Sequence, residues 1–130
     1  WLRISATDWA ADGEPGWDLA QSCALVDSLR GEGVDLIDVS SGGTLPRAKM
    51  PLGPGYQTPF AAEIRRRCSV ATGAVGLITA PEQADHIIRS QQADVVLLAR
   101  ELLRDPYWPR RAAAALQQPI AAPSQYQRAW

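Results

Sequence analysis

A positively charged side chain follows directly after a short apolar segment late in the sequence. Residues 95–99 are all apolar, and Arg100 comes next. Such a segment is typical of a strand that is covered on both faces in a parallel sheet. Parallel α/β folds bind ligands at the carboxyl ends of their strands, and the N–H groups that begin the next helix attract anions. Arg100 and those N–H groups therefore predict a phosphate site.

A glycine lies at a similar place in the preceding apolar segment. Residues 72–79 predict another strand and its loop, and Gly76 within them allows close approach to the backbone. In (β/α)8 barrels the phosphate site is commonly shared by the loops after the last two strands. The two segments are therefore predicted to be strands seven and eight of such a barrel.

Strands and helices alternate along the whole sequence. Strands are predicted at 2–6, at 34–40, from 72 and at 95–99. A helix follows each of them, the first capped by Asp18 and the third by a capping box of Thr79 and Glu82. Connections of this length fit right-handed crossovers in a parallel α/β sheet. Four such strands cannot close a barrel, so one face of the sheet needs a partner.

Length, charge and cysteine content exclude several classes of protein. A chain of 130 residues can form one domain, whereas a whole (β/α)8 barrel needs about 250 residues. A net charge of -1 and a pI near 5.8 argue against a general nucleic-acid or membrane-surface role. Isolated Cys23 and Cys68 are typical of buried, reduced thiols in a cytoplasmic protein. Because the sequence starts at Trp1 within a predicted strand, we expect an N-terminal portion to precede it.

Several motifs, in this order, resemble the old yellow enzyme family of FMN-dependent ene-reductases, and specifically its bacterial YqjM-like branch. They are LRISATDW (2–9), GVDLIDVSSGG (33–43), PLGPGYQ (51–57), GAVGLIT (73–79), ARELLRDPYWP (99–109) and QYQRAW (125–130). Each motif is weak alone, but together they cover nearly the whole chain. The resemblance implies FMN as cofactor, NADPH or NADH as reductant and an activated alkene as substrate.

The resemblance also implies a fold and an assembly. Residues 1–116 would be βα units five to eight, the C-terminal half of an FMN-binding (β/α)8 TIM barrel. Residues 117–130 would be a tail that reaches a neighbouring subunit of a homodimer or homotetramer. The missing N-terminal half-barrel is then a required partner, because the family's substrate-binding His pair, proton-donating Tyr and redox-tuning Cys belong to it.

Individual roles follow from the same resemblance. Arg3 matches the arginine beside the pyrimidine end of the flavin, where a positive charge stabilises the reduced, anionic ring. Gly76 and the backbone at Ala99 and Arg100 match the phosphate-binding positions, although many family members have glycine in place of Ala99. Arg128, together with Trp130, matches a tail that enters the neighbouring subunit's active site.

Three alternatives stay open at this point. Arg3 could be an ordinary charge on an edge strand, and the tail could pack on its own barrel. The chain could also be a non-catalytic α/β half-barrel module that binds a phosphorylated ligand or a partner chain. No cluster of residues in the sequence has the spacing of a metal site.

Overall fold

The fold is one parallel sheet with helices packed on one of its faces. The computed structural model describes residues 1–129. The strands are β1 (Leu2–Ser5), β2 (Leu36–Ser40), β3 (Ala71–Ala74) and β4 (Val95–Val96), in the order β1-β2-β3-β4. The helices are α1 (Leu19–Ser28), α2 (Thr58–Cys68), α3 (Pro81–Arg89), α4 (Arg100–Arg104) and α5 (Trp108–Ala115), followed by a 3₁₀ helix (Ser124–Ala129). Every neighbouring pair of strands is parallel, so the predicted βα order is confirmed.

Local sequence explains where the first two helices begin. Asp18 caps α1 by accepting a hydrogen bond from the Gln21 N–H, and the Gln21 side chain accepts one from the Asp18 N–H. This reciprocal pair satisfies two N–H groups that the helix itself leaves free. Pro59 lies in the first turn of α2, where its missing N–H costs nothing.

The predicted capping box at the start of α3 is wrong. Ala80 precedes the helix and Pro81 is in its first turn, so Thr79 lies one residue too early to cap it. The Gln83 side chain instead accepts a hydrogen bond from the Thr79 N–H at 3.4 Å. Helix α3 therefore begins through the preset backbone of proline rather than through a side-chain cap.

The last strand is shorter and more exposed than predicted. Residues 95–99 were expected to form a strand covered on both faces, but β4 comprises Val95 and Val96, both partly exposed. The reason is its position at the edge of the sheet, where β3 is its one neighbouring strand within residues 1–129. The prediction of a helix directly after this segment is confirmed by α4, in which Arg100 is the first residue.

The two faces of the sheet differ in chemistry. Ile37, Val39 and Ala74 are 0% exposed and pack against the helices. On the opposite face, Arg3 pairs in register with Asp38, Asp38 with Gly73, and Gly73 with Val95. This row lies on the face of the sheet that would form the interior of a barrel, of which these four strands are a part. None of the helices within residues 1–129 is long and apolar enough to cross a bilayer.

Candidate functional site

One pocket brings together all four residues predicted to bind the cofactor. It lies at the carboxyl ends of the strands, has a volume of about 200 Å³, and is lined by Arg3, Gly76, Ala99 and Arg100 among others. Arg3 lies in β1, Gly76 in the loop after β3, and Ala99 and Arg100 at the start of α4. A volume below the roughly 300–1,000 Å³ of whole ligand sites fits a pocket that holds part of a ligand.

Gly76 shapes the pocket wall because no side chain fits there. Its φ is +123°, and a Cβ at this position would lie 2.8 Å from Gln57 Nε2 and 3.0 Å from Tyr56 Cε1. The carbonyl of Gly76 accepts a hydrogen bond from the Gly55 N–H at 2.8 Å, which ties the loop after β3 to the loop before α2. The backbone is therefore held close to the pocket, as a cofactor-contacting glycine requires.

A buried glutamine that sequence reasoning did not single out for a role holds this wall in place. Gln57 is 3% exposed, and its Nε2 donates to the Val75 carbonyl at 3.0 Å. Its Oε1 accepts from the hydroxyls of Ser41 at 2.8 Å and Ser40 at 3.2 Å. These three hydrogen bonds fix the Gln57 side chain. The local sequence pattern does not indicate them, because the partners are 16 to 18 residues away.

The pocket offers donors to an anion. The N–H groups of Gly76 and Ala99 donate no hydrogen bond to any described residue. Among the pocket's arginines, Arg3 and Arg104 form ion pairs, but Arg100 forms none within residues 1–129. Because α4 has only five residues, its dipole adds little, and the anion would depend on Arg100 and the free backbone groups.

Arg3 is held by a carboxylate that sequence reasoning also missed. Arg3 Nη1 donates to Asp38 Oδ2 at 3.0 Å across the β1–β2 pair. Burial raises the pKa of the Asp38 carboxyl, while the Arg3 guanidinium acts in the opposite direction. Asp38 Oδ1 is buried and has no hydrogen-bond partner among the described residues. The sequence did indicate this contact, because Asp38 is an acidic residue within an otherwise apolar strand.

The two cysteines are confirmed as buried and unpaired. Cys23 and Cys68 are free thiols on α1 and α2, and each is 2% exposed. Burial, together with the neighbouring Cys23, raises the pKa of the Cys68 thiol to about 11. Cys68 is therefore a protonated core residue at neutral pH rather than a nucleophile. Within the described residues no acidic, histidine or cysteine cluster could hold a metal.

The predicted tail residue lies away from this pocket. Arg128 is exposed on the 3₁₀ helix, and none of that helix's residues is buried. Trp130, predicted to act with it, lies outside the described residues.

Fold and site together define a class of protein. Four parallel βα units form part of a (β/α)8 barrel, and a pocket at the strand carboxyl ends that offers donors to an anion is typical of the phosphate sites of such barrels. Gly76, the free N–H groups and Arg100 fit the phosphate of a flavin mononucleotide, and Arg3 adds a positive charge to the same pocket.

Comparison with known proteins assigns the chain to one family within this class. The chain belongs to the NADH:flavin oxidoreductase / NADH oxidase family, whose model matches residues 1–118. It is 50% identical to an NADPH dehydrogenase of Halalkalibacterium halodurans and 51% identical to one of a Geobacillus species, each over 129 residues. These alignments cover 99% of this chain and 37% of each relative, so the chain spans about a third of their length.

A solved structure supports the same fold. Histamine dehydrogenase from Rhizobium sp. 4-9 superposes with a TM-score of 0.69 at 26% identity, over 87% of this chain and 16% of that chain. The resemblance to the old yellow enzyme family is confirmed, as is a partial α/β barrel. The family and the relatives' names support FMN and NAD(P)H as cofactors.

Proposed function

We propose that this chain is the FMN-binding half of an ene-reductase, an NAD(P)H-dependent enzyme that reduces activated C=C bonds. The observation that carries the proposal is the single pocket that contains Arg3, Gly76, Ala99 and Arg100. Bound FMN would supply the redox chemistry, by accepting hydride from NAD(P)H and passing it to the β-carbon of the alkene.

The chain's own residues have distinct tasks in this proposal. Arg100 and the N–H groups of Gly76 and Ala99 bind the phosphate and so orient the cofactor. Arg3 places a fixed positive charge in the pocket, and Asp38 holds the guanidinium in position at 3.0 Å. Gln57 keeps the glycine wall rigid. The proton that completes alkene reduction would come from the other half of the barrel, where the family resemblance implies the proton-donating Tyr.

The assembly is also part of the proposal. The sheet face with Arg3 and Asp38 would be covered by the N-terminal half-barrel, which closes the ring of strands. Arg128 would enter the active site of a neighbouring subunit in a homodimer or homotetramer, and its exposure is compatible with that role. The division into residues 1–116 and 117–130, like a cytoplasmic location, stays a prediction.

An absorbance spectrum combined with intact mass tests the function first. We expect the full-length protein to be yellow, with a flavin band that bleaches when NADPH is added anaerobically. A colourless protein that takes up no FMN would contradict the proposal. It would favour the alternative of a non-catalytic module, for which the pocket of about 200 Å³ is large enough to hold a phosphate group.

Arg3→Ala should make the flavin harder to reduce. Loss of the positive charge removes stabilisation of the reduced, anionic ring, and we expect the midpoint potential to fall by about 30 mV, which is about tenfold in a two-electron equilibrium. The potential is measured by equilibration with redox dyes. Because the substitution leaves Asp38 buried without its cation, the double variant Arg3→Ala/Asp38→Asn is the control for a lone carboxylate. If the midpoint potential is unchanged in both variants, Arg3 does not lie beside the flavin.

Arg128→Ala should change turnover while FMN stays bound. The residue lies outside the cofactor pocket, so flavin content per subunit is expected to match that of the wild type. Steady-state kinetics with a cyclic enone should show a changed kcat or KM for the alkene. Gln127→Ala, on the same exposed 3₁₀ helix, is the matched control. If both variants behave as the wild type does, the tail has no role in a neighbouring active site.

A further inference from the structure

Four cationic side chains form no ion pair within residues 1–129. Most arginines are paired with carboxylates, for example Arg65 with Asp94 and Arg66 with Glu63. The unpaired side chains are Arg47, Lys49, Arg100 and Arg128. Arg100 belongs to the proposed FMN pocket and Arg128 to the tail. Arg47 and Lys49 remain without a role, and both are exposed in the loop between β2 and α2.

These two cations line a groove separate from the FMN pocket. Its volume is about 520 Å³, and it is formed by the loops that follow β1 and β2. Trp9, Leu45 and Pro46 give it apolar surface, while Arg47 and Lys49 give it positive charge. Glu14 is the one acidic residue in its lining, so the groove has an excess of one positive charge.

The groove is held in shape by packing and hydrogen bonds. The Trp9 ring meets Phe60 edge to face at 5.3 Å between centroids, and its Nε1 donates to Ser41 Oγ at 3.0 Å. Gly42 is packed so closely against Met50 and Trp9 that a Cβ there would overlap the Met50 sulfur. The indole is therefore preorganised and cannot swing freely into solvent.

Hydrogen bonds connect the groove with the FMN pocket. Trp9 donates to Ser41, Ser41 donates to Gln57 Oε1 at 2.8 Å, and Gln57 lines the pocket that contains Arg100. Both sites therefore lie at the carboxyl end of the same sheet. One extended ligand that reaches the flavin could place its far end in the groove.

We propose that the groove binds the adenosine 2′-phosphate end of NADPH and so selects NADPH over NADH. This inference rests on the proposed function, because it needs a nicotinamide nucleotide as reductant. A phosphate monoester carries up to about two negative charges at neutral pH, which Arg47 and Lys49 match. The Trp9 indole and Leu45 offer apolar contact to adenine. NADH lacks the phosphate and leaves both cations unpaired.

The double variant Arg47→Ala/Lys49→Ala in the full-length flavoprotein tests the groove. We expect KM for NADPH to rise by about 10- to 100-fold, the value of one or two hydrogen bonds to a charged group, with kcat little changed. KM for NADH should change less than about twofold. The charge-matched control is Arg66→Ala/Arg67→Ala, which removes two positive charges from α2, where both contact Glu63. Binding of 2′,5′-ADP, measured by calorimetry, should weaken in the first variant and not in the control.

Three outcomes would overturn the inference. Equal changes in KM for NADPH and NADH would show that the groove does not read the 2′-phosphate. An unchanged KM for NADPH with a raised KM for a carboxylate-bearing alkene would make the groove a substrate site instead. A flavin that neither nucleotide reduces would overturn the proposed function itself, and the groove inference with it.

Discussion

Gly76→Ala should strongly weaken FMN binding and also lower the free energy of unfolding. A φ of +123° is rarely accessible to residues with a side chain, and the added Cβ would meet Gln57 Nε2 at 2.8 Å. Backbone strain costs about 1–3 kcal/mol. Displacing Gln57 from its buried hydrogen bonds costs about another 1–3 kcal/mol. We expect urea unfolding to show a loss in this range, and FMN affinity, measured by recovery of flavin fluorescence, to fall at least about 100-fold, equal to about 2.8 kcal/mol.

A second glycine separates backbone strain from loss of the cofactor wall. Gly33 also has a positive φ, of +78°, but a Cβ there would have no heavy atom within 4 Å. Gly33→Ala should therefore cost about 1–2 kcal/mol in unfolding free energy and leave FMN affinity unchanged. If Gly76→Ala and Gly33→Ala lower FMN affinity equally, Gly76 does not contact the cofactor.

Arg100→Ala should weaken FMN binding without affecting riboflavin. The side chain is the pocket's cation without an ion pair in the described part of the chain, so it is free to pair with a phosphate. A lost hydrogen bond to a charged group is worth about 1.5–3 kcal/mol, which corresponds to a rise in Kd of about 10- to 150-fold. Riboflavin has no phosphate, so its Kd should be the same in variant and wild type.

The matched control for Arg100 lies one turn away. Arg104 lines the same pocket, but its Nη2 is 2.9 Å from Glu101 Oε2. Arg104→Ala removes the same charge from a side chain that already has a partner, and we expect less than about a fivefold change in FMN affinity, since exposed pairs contribute about 1 kcal/mol at most. If riboflavin and FMN weaken together in Arg100→Ala, the arginine acts on the isoalloxazine or on the fold rather than on the phosphate.

The sequence predicted the ligand end of the fold better than its supporting contacts. Arg100 and Gly76 could be identified because both follow apolar strands, and strand ends meet in a parallel sheet whatever the details of packing. Gln57 and Asp38 were missed because their importance depends on partners from other strands, and no local period reports such contacts. The length of β4 was overestimated for a related reason: an apolar run shows that burial is needed, not which neighbour provides it.

The order β1-β2-β3-β4 has a consequence for engineering and for recombination between relatives. Each strand pairs with the one that precedes it in the chain, so the two outer edges of the sheet, at β1 and β4, are the places where further strands must join. The four residues predicted to bind the cofactor, Arg3, Gly76, Ala99 and Arg100, all lie between those edges. Under the proposed function, a chimera joined at these two edges would inherit its phosphate-binding residues from one parent and its proton donor from the other. In such hybrids the affinity for the FMN phosphate and the alkene preference should be inherited separately.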